Sequence, residues 1–465
     1  MSRGARTRGI DLLALFSFLA LITIGWFSLF STVYDGTGFS NVLNLSSTIG
    51  RQSLWLAVSL VVFVSCLTIE WKFWSTFSYF IFSASIVLLI LVLIFGLEIK
   101  GAKSWFSVFG FSFQPAEFSK LGACLAMSSY LSSPQIDVRN LKHLMFAVGI
   151  MMVSPLLILL QPDAGTAIVF SSFLLVIYRA GANRLYYILA FILFGNIIGS
   201  LLFSTEFISI FILLLCIGIH LVVYRKEKQY LLAYGLAALG SFVFYRFNYG
   251  QFVIAFLGMA YIIMLTRSVL IKQFRIATVS LFLLIFSFII TLAIQWSFDH
   301  LLKPHQQDRI NVWLRPDLCD PRGSLYNIIQ SKIAIGSGGI TGTGFLNGAM
   351  TKLDFVPEQT TDFIFCTVGE EQGFLGVLGV IILFTILFYR MIIMAERQSI
   401  NFKKYYIYSV LGILFFHMFV NIGMTMGLMP VVGIPLPFMS KGGSSLLTFC
   451  MLFGILFKLD ITRQR

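Results

Sequence analysis

Long apolar stretches alternate with short polar ones along the whole chain. An apolar stretch of about 20 residues is long enough to cross a bilayer as a helix, and this pattern predicts an all-α, polytopic integral membrane protein with about fourteen transmembrane helices. The predicted spans are 11–31, 53–69, 75–97, 115–132, 143–160, 165–180, 183–203, 207–224, 229–246, 251–266, 276–296, 363–389, 405–426 and 445–460.

Composition agrees with a membrane protein and excludes several other classes. Of the 465 residues, 58% are hydrophobic and only 11% are charged, too few charges to cover a soluble protein of this size. The first apolar stretch is too long for a signal peptide. The six cysteines and five histidines lack the spacing of a disulfide framework, zinc site or haem site.

The basic residues predict the topology. Although the net charge is +13, these residues lie in short loops, a placement that membrane topology explains better than nucleic-acid binding. With the N-terminus cytoplasmic, most fall in cytoplasmic loops, as the positive-inside rule requires. Both termini are then cytoplasmic. The segment 297–362 becomes a long extracytoplasmic loop, and connections of this length are usually functional.

Several acids and bases are predicted to cluster near the outer membrane face. Asp362 lies in PEQTTDFIF (357–365), where a loop meets an apolar stretch, and is either a helix cap or a functional acid. Glu117 and Lys120 in FQPAEFSK are spaced to pair on one helix face, and intramembrane charges are usually functional. The other predicted members are Lys103, Asp163, Lys441, Arg309 and Arg315.

Other motifs have a plain structural interpretation. Asp163 in QPDAGTA is by default a helix cap, and Trp105 in GAKSWF is by default an interfacial anchor. The glycine-rich GSGGITGTG (336–344) lacks the preceding strand and the GK[ST] sequence of a phosphate-binding loop, so flexible backbone near a lipid headgroup is the expectation and direct phosphate contact is the alternative. Glu370 and Glu371 are either a paired polar feature of the core, which we favour, or a relay, and His417 and Asn421 are their candidate partners.

The motifs, taken in order, resemble the SEDS family (shape, elongation, division and sporulation) of peptidoglycan glycosyltransferases. The matching strings are GAKSW, FSFQPAEFSK, QPDAGTA, HQQDRINVWLRPD, PRGSLYNIIQSKIAIGSGGITGTG, PEQTTDFIF and GIPLPFMSKGGSS. The resemblance covers nearly the whole chain except about residues 200–300. It implies a ten-helix core, with about four additional helices inserted within 183–296. The predicted organisation is core 1–182, inserted helices 183–296, catalytic loop 297–362 and core 363–465.

The resemblance also implies an activity and site residues. Asp362 matches the essential aspartate of the family, and the substrate-binding residues are expected to be Trp105, Lys103, Glu117, Lys120, Gln114, Arg309, Arg315, Asp163, Lys441 and Ser440. The implied substrates are lipid II, which is an undecaprenyl-pyrophosphate-linked disaccharide pentapeptide, and the nascent glycan. The implied partners are a class B penicillin-binding transpeptidase and the elongation machinery. A divalent cation (Mg or Mn) is an implied aid, with its ligands unknown.

On this basis we expect an enzyme of the bacterial cytoplasmic (inner) membrane with its active site on the extracytoplasmic face. It would build β-1,4 glycan for cell-wall elongation and rod shape, with Asp362 as the general base and inversion at the donor anomeric carbon. Two alternatives stay open: a lipid II flippase and a binding-only scaffold.

Overall fold

The computed structural model describes residues 9–34, 42, 44–99, 102–108, 111–224, 228–300, 302, 304–320, 323 and 325–463. The chain divides into two compact units. The first comprises Met1–Asn183 and Asp320–Arg465, and the second comprises Arg184–Cys319. The second unit begins one residue after the predicted start of the inserted region, 183. It ends later than the predicted boundary at 296, inside the segment 297–362.

The first unit is a bundle of helices with one small sheet. Its helices are α1 (Leu12–Thr32), α2 (Thr48–Thr68), α3 (Trp71–Thr76), α4 (Ser78–Phe95), α5 (Pro115–Ser132), α6 (Leu141–Leu159), α7 (Ala164–Val169), α8 (Phe173–Arg179), α15 (Tyr326–Ser337), α16 (Ala349–Lys352), α17 (Ile364–Glu396), α18 (Asn401–Thr425) and α19 (Gly443–Ile461). The most buried of the apolar helices are α18 and α19.

Within its described residues, the second unit contains six α-helices. They are α9 (Arg184–Leu202), α10 (Thr205–Tyr224), α11 (Lys228–Arg246), α12 (Gly250–Leu270), α13 (Phe274–His300) and α14 (Pro304–Leu314). Its apolar core lies between α10, α12 and α13 and includes Ile210, Leu257 and Leu283.

Each predicted span corresponds to a helical segment, and ten helices of the described residues are long and apolar enough to cross a membrane. The all-α membrane fold is therefore confirmed, whereas the count of fourteen stays a prediction. α5 falls outside the ten because Glu117 and Lys120 lower its hydropathy, but both side chains are buried. Its polar residues therefore face the bundle interior, where they are paired.

A three-stranded antiparallel sheet follows α4, and the sequence pattern did not predict it. Its strands are β1 (Leu97–Ile99), β2 (Ala102–Val108) and β3 (Phe111–Phe113), in the order β1-β2-β3. Trp105 stands opposite Leu97, and Lys103 stands opposite Glu98. The sheet thus fixes residues 102–105 (AKSW) as part of a strand that precedes α5.

The prediction that 297–362 is a single long loop is wrong. α13 extends to His300, and α14, α15 and α16 follow within the segment. The stretch 326–335 forms most of α15, which buries Ile328, Ser331 and Ala334 on one face. The Ser331 hydroxyl donates to the carbonyl of Thr425 at 2.6 Å, so α15 is joined to α18.

The segment GSGGITGTG provides hydrogen-bond partners for the backbone groups that a break in α17 leaves unpaired. Gly373 has φ +63°, and the helix is interrupted there. The freed amides of Phe374 and Leu375 donate to the carbonyls of Gly339 and Ile340 at 2.9 and 3.1 Å. In return, the amides of Thr343 and Gly344 donate to the carbonyls of Glu370 and Glu371, both at 3.0 Å.

This exchange explains the glycines, since buried backbone groups need partners. A Cβ at Gly342 would lie 2.0 Å from the carbonyl oxygen of Glu371, and one at Gly338 would lie 2.0 Å from that of Gly369. The motif therefore allows two backbones to touch, and neither a phosphate loop nor flexible chain near a lipid headgroup describes it.

Candidate active site

Asp362 precedes α17 without capping it. The helix begins at Ile364, and its N-cap is Phe363, whose side chain makes no capping hydrogen bond. Asp362 is therefore not the N-cap residue, and the helix-cap interpretation is wrong. Phe363 is 1% exposed and packs against Ala334, Val356 and Cys366, so a buried ring anchors the turn beside the carboxylate.

The turn is held from behind by α18. The side-chain amide of Asn421 donates to the carbonyl of Asp362 at 2.8 Å and to that of Ile434 at 2.7 Å. One side chain thus joins the Asp362 turn to the segment between α18 and α19. Gly433 in that segment has φ +71°, and a Cβ there would lie 3.4 Å from Asp362 Oδ2.

A cavity of about 190 Å³ lies beside this turn. Its lining combines polar and aromatic side chains: Thr48, Arg51, Gln52, Trp55, Trp105, Ser112, Thr361, Lys441, Gly442 and Gly443. The amide of Lys441 donates to the carbonyl of Thr360 at 2.9 Å, which fixes the loop before α19 against the Asp362 turn. The structure therefore brings Trp105 and Lys441 together next to the residue that precedes Asp362.

Arg51 is a cavity residue that the sequence analysis missed. It lies in the first turn of α2, and one guanidinium nitrogen donates to the carbonyl of Ser46 at 3.2 Å. The available signal was its position, since the topology places a lone basic residue at the outer end of a span. With Lys441, it gives the cavity two cationic side chains.

Glu117 and Lys120 form a buried ion pair behind the cavity. Their carboxylate and ammonium lie 2.7 Å apart, and the two side chains are 3% and 1% exposed. The ammonium also lies 2.9 Å from His417 Nε2. His417 Nδ1 lies 3.1 Å from the carbonyl of Pro435, which can only accept, so Nδ1 carries the proton and Nε2 accepts from Lys120.

These contacts link the buried pair to Asp362. His417 and Asn421 are one turn apart on α18 and hold the neighbouring carbonyls of Pro435 and Ile434. Because Lys120 is fully buried, it has no surface with which to contact a phosphate, contrary to the expectation. The pair instead braces α18, from which Asn421 holds the Asp362 turn.

Glu370 and Glu371 have partners other than those predicted. The carboxylate of Glu370 accepts from the amides of Met350 and Thr351 at 2.8 and 2.9 Å. Glu371 accepts from the hydroxyl of Ser31. Pairing with His417 and Asn421 is therefore wrong, whereas the contacts agree with a structural role, because Glu370 satisfies the first amides of α16.

The structure places the remaining predicted residues of the first unit in polar contacts. Asp163 is the N-cap of α7, accepting from the amide of Thr166 at 3.0 Å, so the cap interpretation is confirmed. Its other oxygen accepts from Gln114 Nε2 at 3.0 Å. The hydroxyl of Ser440 accepts from the amide of Leu436, and Lys103 is exposed on β2.

Arg309 and Arg315 belong to the second unit and are exposed there. Arg309 lies on α14, and a guanidinium nitrogen of Arg315 donates to the carbonyl of Leu202 at 3.3 Å. Their predicted contact with the substrate of the first unit stays a prediction.

The fold and the cavity define a class: a polytopic helical membrane protein whose cavity carries two cationic side chains next to the Asp362 turn. The model of the FtsW/RodA/SpoVE family, described as "Cell cycle protein", matches residues 11–228 and 222–465. The chain belongs to this family, the one that the motifs resemble.

Individual relatives match over most of their length. The peptidoglycan glycosyltransferase RodA of Treponema pallidum (strain Nichols) is 32% identical over 465 residues, which is 98% of this chain and 99% of that protein. The peptidoglycan glycosyltransferase MrdB of Escherichia coli (strain K12) is 28% identical over 88% of this chain and 84% of its own.

Two solved structures share the fold. One belongs to a peptidoglycan synthase complex, described as coordinating polymerization and crosslinking, with a TM-score of 0.60, 25% identity and 97% and 98% of the two chains covered. The other is the crystal structure of the rod shape determining protein RodA of Thermus thermophilus, with a TM-score of 0.56, 21% identity and 98% of each chain covered.

Proposed function

We propose that this protein is a peptidoglycan glycosyltransferase that polymerises lipid II into β-1,4 glycan for cell-wall elongation. The observation that carries the proposal is the position of the Asp362 turn, which is held by Asn421 and contributes Thr361 to a cavity that Trp105, Arg51 and Lys441 also line. Membership of the family and the names of its relatives support the same reaction.

Asp362 is the general base in this proposal. The donor sugar is α-linked to pyrophosphate and the product is β-linked, so a single displacement inverts the anomeric carbon. The acceptor 4-hydroxyl loses its proton to the carboxylate as its oxygen attacks, and a positioned base contributes roughly 10²–10⁴-fold to such a step. The undecaprenyl pyrophosphate leaves with the bonding electron pair.

Arg51 and Lys441 meet the charge of the leaving group. Preorganised cations that face developing negative charge supply a large part of the catalysis in many enzymes. Trp105, half-buried on β2, offers a flat apolar surface for a sugar ring. Glu117, Lys120, His417 and Asn421 are positioning residues, because they act through the backbone of the Asp362 turn.

The divalent cation stays a prediction from the resemblance. Within the described ranges, no group of three or more His, Cys, Asp or Glu side chains is placed to hold a metal ion. The described residues therefore do not form a metal site built by the protein alone, and the positive charge we assign to the cavity is that of Arg51 and Lys441.

The remaining assignments also belong to the proposal. The cavity faces the outside of the cytoplasmic membrane, where lipid II presents its headgroup, and a class B penicillin-binding transpeptidase crosslinks the product. The distribution of basic residues along the sequence supports the extracytoplasmic position of the cavity. The likeness to a chain of a peptidoglycan synthase complex supports the transpeptidase partner.

The test is Asp362→Asn in the purified protein, with fluorescent lipid II in detergent and the partner transpeptidase present. We expect loss of polymer by at least about 10²-fold with little change in melting temperature. Asp354→Asn is the matched control, because Asp354 is exposed in the same segment at φ +54°, a conformation that Asn tolerates.

The same assay separates the alternatives. Detergent removes the two sides of the membrane, so a flippase or a scaffold yields no polymer from the wild-type protein. Polymer formed by Asp362→Asn at near wild-type rate would refute the base assignment.

A further inference from the structure

Two cavities adjoin in the second unit, and the proposed glycosyl transfer uses neither. The first, of about 380 Å³, lies between α9, α10 and α13 and is mostly apolar, with Phe191, Phe207 and Leu215 among its lining residues. The second, of about 440 Å³, is polar. Phe203, in the turn between α9 and α10, lines both. An apolar chamber therefore meets a polar one at the end of a membrane helix.

Two glycines keep the apolar cavity open. Gly195 and Gly199 are one turn apart on α9, and a Cβ added to either meets no atom within 4 Å. Glycines at this spacing commonly allow two membrane helices to approach closely, but no helix among the described residues comes within 4 Å of either Cβ position. Glycine inside a helix costs about 1 kcal/mol relative to alanine. We therefore look for a ligand that fills the space beside these two glycines and offsets this cost.

The polar cavity carries one charge of each sign. Its lining includes Asp299 at the end of α13 and Arg315 after α14. Arg315 is oriented by its hydrogen bond to the carbonyl of Leu202, and the side chain of Gln295 accepts from Thr205 at 3.0 Å. In the described part of the chain, no ion pair joins Asp299 to Arg315, so both charges are available to a ligand.

We propose that this unit binds one zwitterionic phospholipid with a primary amine. An acyl chain fills the cavity between α9 and α10, Arg315 contacts the phosphate, and Asp299 contacts the ammonium. The apolar cavity is lined largely by Phe, Leu and Ile side chains, which suits a hydrocarbon chain. A guanidinium is suited to recognise phosphate, and a carboxylate beside it selects a headgroup that also carries a positive charge.

Native mass spectrometry of the full-length, delipidated protein tests this proposal. The probes are dioleoyl phosphatidylethanolamine, dioleoyl phosphatidylglycerol and dioleoylglycerol, which share their acyl chains and differ in headgroup charge. We expect one phosphatidylethanolamine to bind at the lowest concentration, phosphatidylglycerol more weakly because it lacks the amine, and dioleoylglycerol most weakly. The readout does not depend on glycosyltransferase activity.

The variants address each part of the site separately. Gly199→Leu places a side chain in the cavity and lowers affinity for phosphatidylethanolamine by at least about tenfold, whereas Gly258→Leu on α12 leaves it unchanged. At both positions an added Cβ meets no atom within 4 Å. Arg315→Gln lowers affinity by about tenfold, as expected for one charge-assisted hydrogen bond. Asp299→Asn abolishes the preference over phosphatidylglycerol. Size-exclusion elution confirms folding.

Two results would overturn the proposal. One is equal binding of the three lipids, unchanged by Gly199→Leu and Arg315→Gln. The other is a wild-type dimer that Gly199→Leu converts to a monomer, since the gap on α9 would then belong to a second copy of the chain.

Discussion

At the scale of single residues, the most unusual feature is an ion pair that is fully buried within the helix bundle. Glu117 and Lys120 are fully buried, and Lys120 also contacts His417. Burying two charges costs several kcal/mol for each ion, and a close partner offsets this cost. The pair therefore tolerates loss of both members better than loss of one.

Glu117→Gln and Lys120→Met test this pair in a double-mutant cycle. Each single substitution leaves a buried charge without its counter-ion and should destabilise the protein by roughly 3–5 kcal/mol, measured as thermal unfolding in detergent. The double variant should recover part of that loss while glycan polymerisation stays low, because His417 still loses its donor. Additive losses of stability would show that the two charges do not interact.

The sequence predicts which charged residues belong to the site better than it predicts what each of them contacts. The i, i+3 spacing predicts the pairing of Glu117 and Lys120, and the structure confirms it. It could not predict the burial of Lys120, because its partner His417 is about 300 positions away. Arg51 was missed for the same reason, since its proximity to Lys441 arises only when α2 packs against α19.

At the scale of secondary-structure elements, the break in α17 determines how the Asp362 turn is supported. The first part of the helix is bonded to GSGGITGTG through Glu370 and Glu371. The sequence predicts the helix, because apolar runs are a strong signal. It does not predict the break, because Gly373 has no local feature that distinguishes it from Gly376 or Gly379.

Gly373→Ala should destabilise the protein and reduce polymerisation. Its φ of +63° disfavours any side chain, and a Cβ would lie 2.3 Å from the amide nitrogen of Gly342. We expect a loss of at least about 1–3 kcal/mol. Gly379→Ala, in the same helix with no atom within 4 Å of its Cβ, should instead stabilise by up to about 1 kcal/mol. Thermal unfolding of both variants checks the sign; equal effects would exclude the strained break as the cause.

At the scale of the whole molecule, the first unit has two distinct ends. At one end, Asp11 before α1 binds Arg390, and Asp460 near the end of α19 binds Arg397 with Nε to Oδ1 at 2.8 Å. The start of α1 and the end of α19 therefore lie at the same end. The cavity lies at the other, since it includes the start of α2 and of α19.

This polar cluster should persist at neutral pH. Burial raises the pKa of Asp11, but hydrogen bonds from Arg390 and the amide of Ala14, together with the charges of Arg390 and Arg397, lower it below its usual range. The stabilisation is thus present above the ordinary carboxyl pKa of about 3.9. It is lost only as the pH falls through the lower value of the folded state.

Cysteine labelling of spheroplasts tests the predicted orientation. In a Cys319→Ser background, in which the remaining cysteines are buried, an impermeant maleimide should label Asp354→Cys without permeabilisation. Lys404→Cys, near the start of α18, should react only after permeabilisation. The reverse pattern would place Asp362 in the cytosol and exclude a role in extracytoplasmic glycan synthesis.

Only part of this arrangement follows from the sequence. The placement of basic residues predicts that both termini lie on one side, and the contacts of Asp11 and Asp460 agree. The helices of 301–319, by contrast, are short and polar, so hydropathy cannot separate them from a loop. Hydropathy predicts the inserted helices but no binding site within them. Asp299 and Arg315 are not neighbours in the sequence, and only the fold shows that they line one cavity.

The exchange of hydrogen bonds between GSGGITGTG and α17 has a mechanical consequence. Where Gly342 meets Glu371, main chain touches main chain with no side chain between them. The separation of the two segments is thus set by peptide dimensions, which substitutions in the surrounding apolar residues do not alter. Substitutions in those residues can loosen the contact but cannot change its length, so the spacing between α17 and the segment 336–344 is fixed by the two main chains themselves.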